Sequence, residues 1–178
     1  MSSAGFPSQH TTATTVSSNT TVQTNIRFDQ SYLRTLPGIL KCIQITVNLI
    51  GFICIECTGV NAYHSRGGWF VTVAMLGFWT TGILLTFYLF HIIEKFYKIP
   101  WLKIEFVFCC VMGLFYLIAA SLAVSFPIEG YRVGGVFGFI AMCLYGGDAF
   151  LKFQSIQRGE IAQGERVTVR QTTTSPAY

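Results

Sequence analysis

Past a polar N-terminal tail, the charged residues of this chain leave four long gaps. No Asp, Glu, Lys or Arg lies between Lys41 and Glu56, between Arg66 and Glu94, between Glu105 and Glu129, or between Arg132 and Asp148. Each gap holds or dominates an apolar stretch long enough to cross a bilayer, which takes about 20 residues. A chain of 178 residues with four such stretches has little left for anything else. Charged residues make up 11% of it, against about 25% in ordinary globular domains. A small soluble domain has too much surface to cover for its charge to fall so low. The gaps predict an all-α fold, a four-helix antiparallel transmembrane bundle over residues 32–153. Its helices are expected near 38–61, 69–91, 104–126 and 131–153. Disordered cytoplasmic tails are expected at 1–31 and 154–178, because both are polar and residues 1–24 carry no charge at all.

Orientation follows from the basic residues that flank the spans. Arg27, Arg34, Lys41, Lys95, Lys98, Lys103, Lys152, Arg158, Arg166 and Arg170 fall on one side, and only Arg66 and Arg132 on the other. Both termini are therefore expected in the cytoplasm. The net charge of +4 is then met by an anionic leaflet and calls for no nucleic acid. No apolar leader segment precedes the first span, so that span is expected to direct membrane entry itself. The sequon at Asn19 is expected to be silent, since a cytoplasmic tail never meets the glycosylation machinery.

The polar residues inside the spans are few and patterned. Lys41, Gln44, Asn48 and Gly51 form one stripe on the first helix. On the fourth, Gly134, Gly138, Ala141, Tyr145, Asp148 and Lys152 recur at steps of four and three, so they line one face. Gly134 and Gly138 are a small-xxx-small pair of the kind that lets helix backbones approach in lipid. Gly113 with Cys109 and Ala120 on the third helix, and Ala74, Gly77 and Thr81 on the second, are expected to pack likewise. Glu56 and Asp148 are the acids inside the spans. The first helix runs outward and the fourth inward, which separates them by about 18 Å along the membrane normal at 1.5 Å per residue. That spacing disfavours a shared proton path. Lys41 and Asp148 share a depth and are expected to touch. Glu56 either stays protonated or reaches Arg66 or Arg132, and the sequence leaves both open.

Chemistry that would mark an enzyme is missing from the sequence. His10, His64 and His91 are scattered, no nucleophile elbow or phosphate-binding loop occurs, and Cys54-x-x-Cys57 has no second ligand pair. No catalytic residue, cofactor or metal site is expected. The prolines stand outside the spans and no internal repeat is evident, which argues against a transporter's broken helices. Cys42, Cys109 and Cys110 lie near the inner ends of their helices, where S-palmitoylation occurs.

Several strings carry a family resemblance. Tyr32-Leu33-Arg34-Thr35-Leu36-Pro37-Gly38-Ile39-Leu40-Lys41 enters the first helix, which closes on Gly51-Phe52-Ile53-Cys54-Ile55-Glu56. Pro100-Trp101 and Glu105 open the third, which continues Leu117-Ile118-Ala119-Ala120-Ser121-Leu122-Ala123. The fourth reads Val136-Phe137-Gly138-Phe139-Ile140-Ala141-Met142 to Tyr145 and Asp148. Together, over about residues 30–155, these resemble the MARVEL domain, in its chemokine-like-factor and plasmolipin branch. The outer loops lack the cysteine pairs expected of tetraspanins and claudins. The resemblance implies a non-enzymatic tetraspan protein of the plasma membrane or vesicles. It implies a part in membrane microdomains, vesicle trafficking, cell junctions, or membrane apposition and fusion, myoblast fusion included. The partners it implies are membrane lipids, sterol-rich domains among them, other membrane proteins and further copies of the chain. The alternatives are a small channel or proton-coupled transporter using Glu56 and Asp148, and a signalling adaptor acting through Ser/Thr-rich tails.

Overall fold

The computed structural model describes residues 12–21, 28–58, 65–96, 98–163 and 165–174. These fall into two units, residues 23–163 and the paired terminal segments, each described by itself. The first unit holds helices α1 (Leu36–Glu56), α2 (Ser65–Leu89), the single turn α3 (Ile92–Lys95), α4 (Trp101–Val124) and α5 (Glu129–Gln157). Four of them are long and apolar enough to cross a membrane: α1, α2 from Gly67, α4 and α5. A 3-10 turn at Gln30–Arg34 precedes α1.

The helix limits follow from local chemistry. Thr35 caps α1, its hydroxyl accepting from the Gly38 N–H at 3.3 Å, with Pro37 in the first turn where its missing N–H costs nothing. α1 therefore starts two residues before the expected position, and it ends at Glu56 rather than near 61. His91, at φ 54, turns the chain out of α2. Gly159, at φ 68, ends α5 in a left-handed cap, with its N–H on the Ile156 carbonyl at 3.1 Å and the Glu160 N–H on Ser155 at 3.0 Å.

The four long helices form a closed ring in the order α1, α2, α4, α5, with α5 returning to α1. Each presents one buried spine at steps of three and four. These are Lys41, Gln44, Asn48, Gly51 and Ile55 on α1; Phe70, Ala74, Gly77, Thr81, Leu84 and Tyr88 on α2; Glu105, Cys109, Met112, Tyr116, Ala120 and Ala123 on α4; and the expected Gly134 to Lys152 face on α5. The outward residues are large and apolar, such as Trp79, Leu114 and Phe150, each more than 60% exposed. That arrangement suits a surface solvated by lipid.

Gly134 and Gly138 meet the bundle itself. A Cβ on Gly134 would lie 2.7 Å from Ile55 Cδ1, and one on Gly138 would lie 2.8 Å from Phe70 Cε2 and 2.9 Å from Ala120 Cβ. The space beside them is filled by the chain's own side chains. Ala141 is buried in the same seam. Gly113 departs from expectation: nothing lies within 4 Å of its Cβ position. It stands one residue past Met112, hence about 100° round from the buried spine.

The tails also depart from expectation. Strands β1 (Thr12–Thr21) and β2 (Glu165–Thr174) pair antiparallel, with Thr12 opposite Thr174, Asn19 opposite Val167 and Thr21 opposite Glu165. Both segments are dense in Thr and Val, β-branched residues that favour extended backbone. Residues 1–11, the Arg27 position and the His64 loop lie outside the described residues.

Candidate functional site

Two polar layers cross the bundle interior, one near its middle and one toward the end where α1 begins and α5 ends. The deeper layer takes one side chain from each spanning helix. Tyr116 OH donates to Asn48 Oδ1 at 2.6 Å, and Asn48 Nδ2 donates to Tyr145 OH at 2.9 Å. The Thr81 and Tyr145 hydroxyls share a further bond at 2.9 Å. Gly77 makes room, since a Cβ there would come within 2.8 Å of both Asn48 Nδ2 and Tyr145 OH. Tyr145 and Tyr116 also stack, with centroids 5.7 Å apart. In lipid such hydrogen bonds have no water to compete with them, and each contributes about 0.6 kcal/mol on average, up to about 2.

The second layer is ionic. Lys41 Nζ lies 3.4 Å from Glu105 Oε1 and 3.7 Å from Asp148 Oδ2, and Lys152 Nζ lies 2.6 Å from Glu105 Oε2. Gln44 Nε2 donates to Asp148 Oδ2 at 3.4 Å and to the Leu144 carbonyl at 3.4 Å. The Cys109 thiol donates to the same Asp148 oxygen at 3.5 Å. All four charged groups are buried, and two positive charges meet two negative ones, so their formal sum is zero. That balance is what allows ions inside a membrane bundle. An unpaired buried charge would cost several kcal/mol, whereas a matched and hydrogen-bonded set offsets part of its lost hydration. Tyr88 covers the set, with Lys41 Nζ 5.6 Å and Lys152 Nζ 5.3 Å from its ring centroid. Tyr32 lies flat on Tyr88 at 4.6 Å and 2°. Burial, followed by the nearby Glu105 and Asp148 carboxylates, pushes the Tyr32 phenol well above its ordinary range. It stays neutral at any physiological pH.

Beyond Asn48 the interior loses its polar character. Gly51, Ile55, Phe70, Val73, Ala74, Ala119, Ala120 and Ala123 fill the other half, with Phe126 and Tyr131 stacked at 5.0 Å. Glu56 is exposed at the end of α1 and does not join the interior. It sits about 80° round from the Asn48 spine, which turns it outward, and the Arg66 side chain lies outside the described residues. The Lys41–Asp148 contact read from shared depth is present, but Glu105 is the hub of the ionic layer. Sequence reasoning took Glu105 for the boundary of a charge gap. Its steps of four to Cys109 and seven to Met112 were the signal that it faces inward. Cys109, considered for lipidation, is 2% exposed and hydrogen-bonded inside the bundle. Cys110 is exposed and Cys42 half-buried. Among the described residues no group of three or more His, Cys, Asp or Glu is arranged to hold a metal.

Four apolar spanning helices around a charge-balanced interior define a multi-pass integral membrane protein. The family of membrane-associating domains named MARVEL matches residues 32–151, and the chain belongs to it. Plasmolipin of Bos taurus is similar, 29% identical over 164 residues that cover 85% of this chain and 90% of that protein. CKLF-like MARVEL transmembrane domain-containing protein 3 of Mus musculus is 27% identical, over 72% of this chain and 67% of its own length. Proteolipid protein 2 of Mus musculus is 27% identical, over 74% and 83%. No solved structure matches the chain.

Proposed function

We propose that this protein is a non-enzymatic membrane organiser whose helix exteriors and tails make lateral contacts with lipids, sterol-rich domains, other membrane proteins and further copies of itself. It acts at the plasma membrane or on vesicles, in trafficking, junctions, or membrane apposition and fusion, with both termini in the cytoplasm. The observation that carries this reading is the direction of its polar groups. In the spans, the charged residues Lys41, Glu105, Asp148 and Lys152 are turned inward and matched across helices. What the spans offer the bilayer is an apolar exterior. A protein built this way works by what packs beside it. Proximity labelling from the C-terminal tail tests the reading. A neighbour set of trafficking, junction or fusion proteins in one membrane compartment supports it, and labelling spread evenly over all compartments removes it.

A proton-coupled transporter fits less well. Glu56 and Asp148 stand at opposite ends of the bundle, and buried Phe70 and Ile55 lie between them. Proteoliposome flux lost in Glu56→Gln would restore that reading. An adaptor acting through the tails alone would lose function on tail deletion while keeping its location.

A further inference from the structure

We propose that residues 28–35 are a movable strap that seals the ionic layer from the aqueous phase, and that displacing the strap admits water to Lys41, Glu105, Asp148 and Lys152. The inference stands apart from the membrane-organising role and does not depend on it.

The seal is built in layers. The ammonium groups of Lys41 and Lys152 lie against Tyr88. Tyr88 is covered by Tyr32, whose ring is parallel to it, and Tyr32 belongs to the 3-10 turn before α1. That turn folds back onto α1 only because position 38 is glycine. A Cβ on Gly38 would collide with the Tyr32 carbonyl oxygen. The rest of the attachment runs to the end of α2 and the turn after it. The Asp29 N–H bonds the Leu89 carbonyl at 3.0 Å, His91 Nε2 stands 3.9 Å from Asp29 Oδ2, and Phe28 meets Phe90 at 5.5 Å.

Two observations make this strap a device and not merely a lead-in to the helix. The 3-10 turn contributes no fully buried residue, so lifting it leaves the helix core intact. The closed position also holds a penalty, because among the described residues nothing hydrogen-bonds the buried Tyr32 hydroxyl. Opening returns that hydroxyl to water. The closed state is therefore favoured by the stack on Tyr88 and these few contacts, and opposed by the buried Tyr32 hydroxyl. Such a balance can be shifted by anything that binds residues 28–35 in either position.

Cys109 is a built-in reporter, since it is buried and bonded to Asp148 beneath the seal. The test uses the full chain in nanodiscs, with Cys42, Cys54, Cys57, Cys110 and Cys143 replaced by alanine. A charged methanethiosulfonate reagent, which does not cross lipid, reports aqueous access to Cys109. Gly38→Ala and Tyr32→Ala should each raise the labelling rate at least tenfold. Tyr32→Phe removes the stranded hydroxyl but keeps the stack, so it should slow labelling at least twofold, a direction that loss of fold cannot produce. Gly82→Ala, whose Cβ meets nothing within 4 Å, should leave the rate unchanged. Equal rates in all variants would overturn the strap. So would faster labelling in Tyr32→Phe, which would mark general loosening of the bundle. If Gly38→Ala fails to fold, the opposed effects of Tyr32→Ala and Tyr32→Phe decide.

Discussion

The two halves of the bundle hold together by different means although the same four helices run through both. From the end where α1 begins and α5 ends to the middle of the bundle, each helix contributes ions or hydrogen-bonding groups, from Lys41 and Glu105 down to the Asn48, Thr81, Tyr116 and Tyr145 layer. In the other half the joints are aromatic and aliphatic side chains seated on glycines, as Phe70 on Gly138 and Ile55 on Gly134. Lipid tails are as apolar as leucine, so burial alone does not bring helices together in a membrane. Close packing and polar pairing are the remaining sources of cohesion, and this chain separates them by depth. The polar half should therefore be sensitive to groups removed, and the apolar half to volume added.

Four substitutions test that contrast, in falling order of effect. Glu105→Ala leaves two buried ammonium groups to one carboxylate and should cost about 3–5 kcal/mol, read as unfolding free energy in an SDS titration. A loss below about 1 kcal/mol would mean the ions are incidental. For the same reason, exchanging the charges of Lys41 and Asp148 should not restore stability, because an aspartate at 41 would face Glu105. In the apolar half, Gly138→Ile must displace Phe70 and Ala120 and should cost about 1–3 kcal/mol. Stability equal to the parent chain would show the seam to be loose. Tyr145→Phe removes the hydroxyl shared by Asn48 and Thr81 and should cost about 1 kcal/mol. Its Asn48→Ala double mutant should lose less than the sum of the single losses, and strict additivity would dissolve the network. Last, Glu56→Gln at the exposed end of α1 should change stability by less than about 0.5 kcal/mol. A larger change would place a functional acid in the half assigned to packing.

The inward faces of α1 and α5 were legible because polar residues are conspicuous in an apolar span, and steps of three and four then fix one face. The depth of Lys41 relative to Asp148 followed from the helical rise. Glu105 was not legible as a hub, since a charge at the first turn of a span reads equally well as an interface residue. Only the approach of α1 and α5 to α4 put Lys41 and Lys152 on its two oxygens. Gly113 departs from the packing expected of it for a related reason, while Cys109 meets it. Four residues apart, they look equivalent as small side chains, but the spine passes through Cys109 and Met112 and leaves Gly113 to one side. The strand pairing of the Thr-rich segments was hidden because polar composition and low hydrophobicity read as lack of structure, while β-branching acts only when two segments meet.

By itself, the sequence determined that this chain spans a membrane four times, because gaps in charge of that length have no other stable placement in so small a protein. It also determined which faces of α1 and α5 look inward. Only the tertiary structure decided which charge pairs with which, that four ions cancel inside one layer, and that Tyr32 lies over them. Pairing among buried ions depends on separations of a few ångströms between different helices, and periodicity along a single helix carries no information about them.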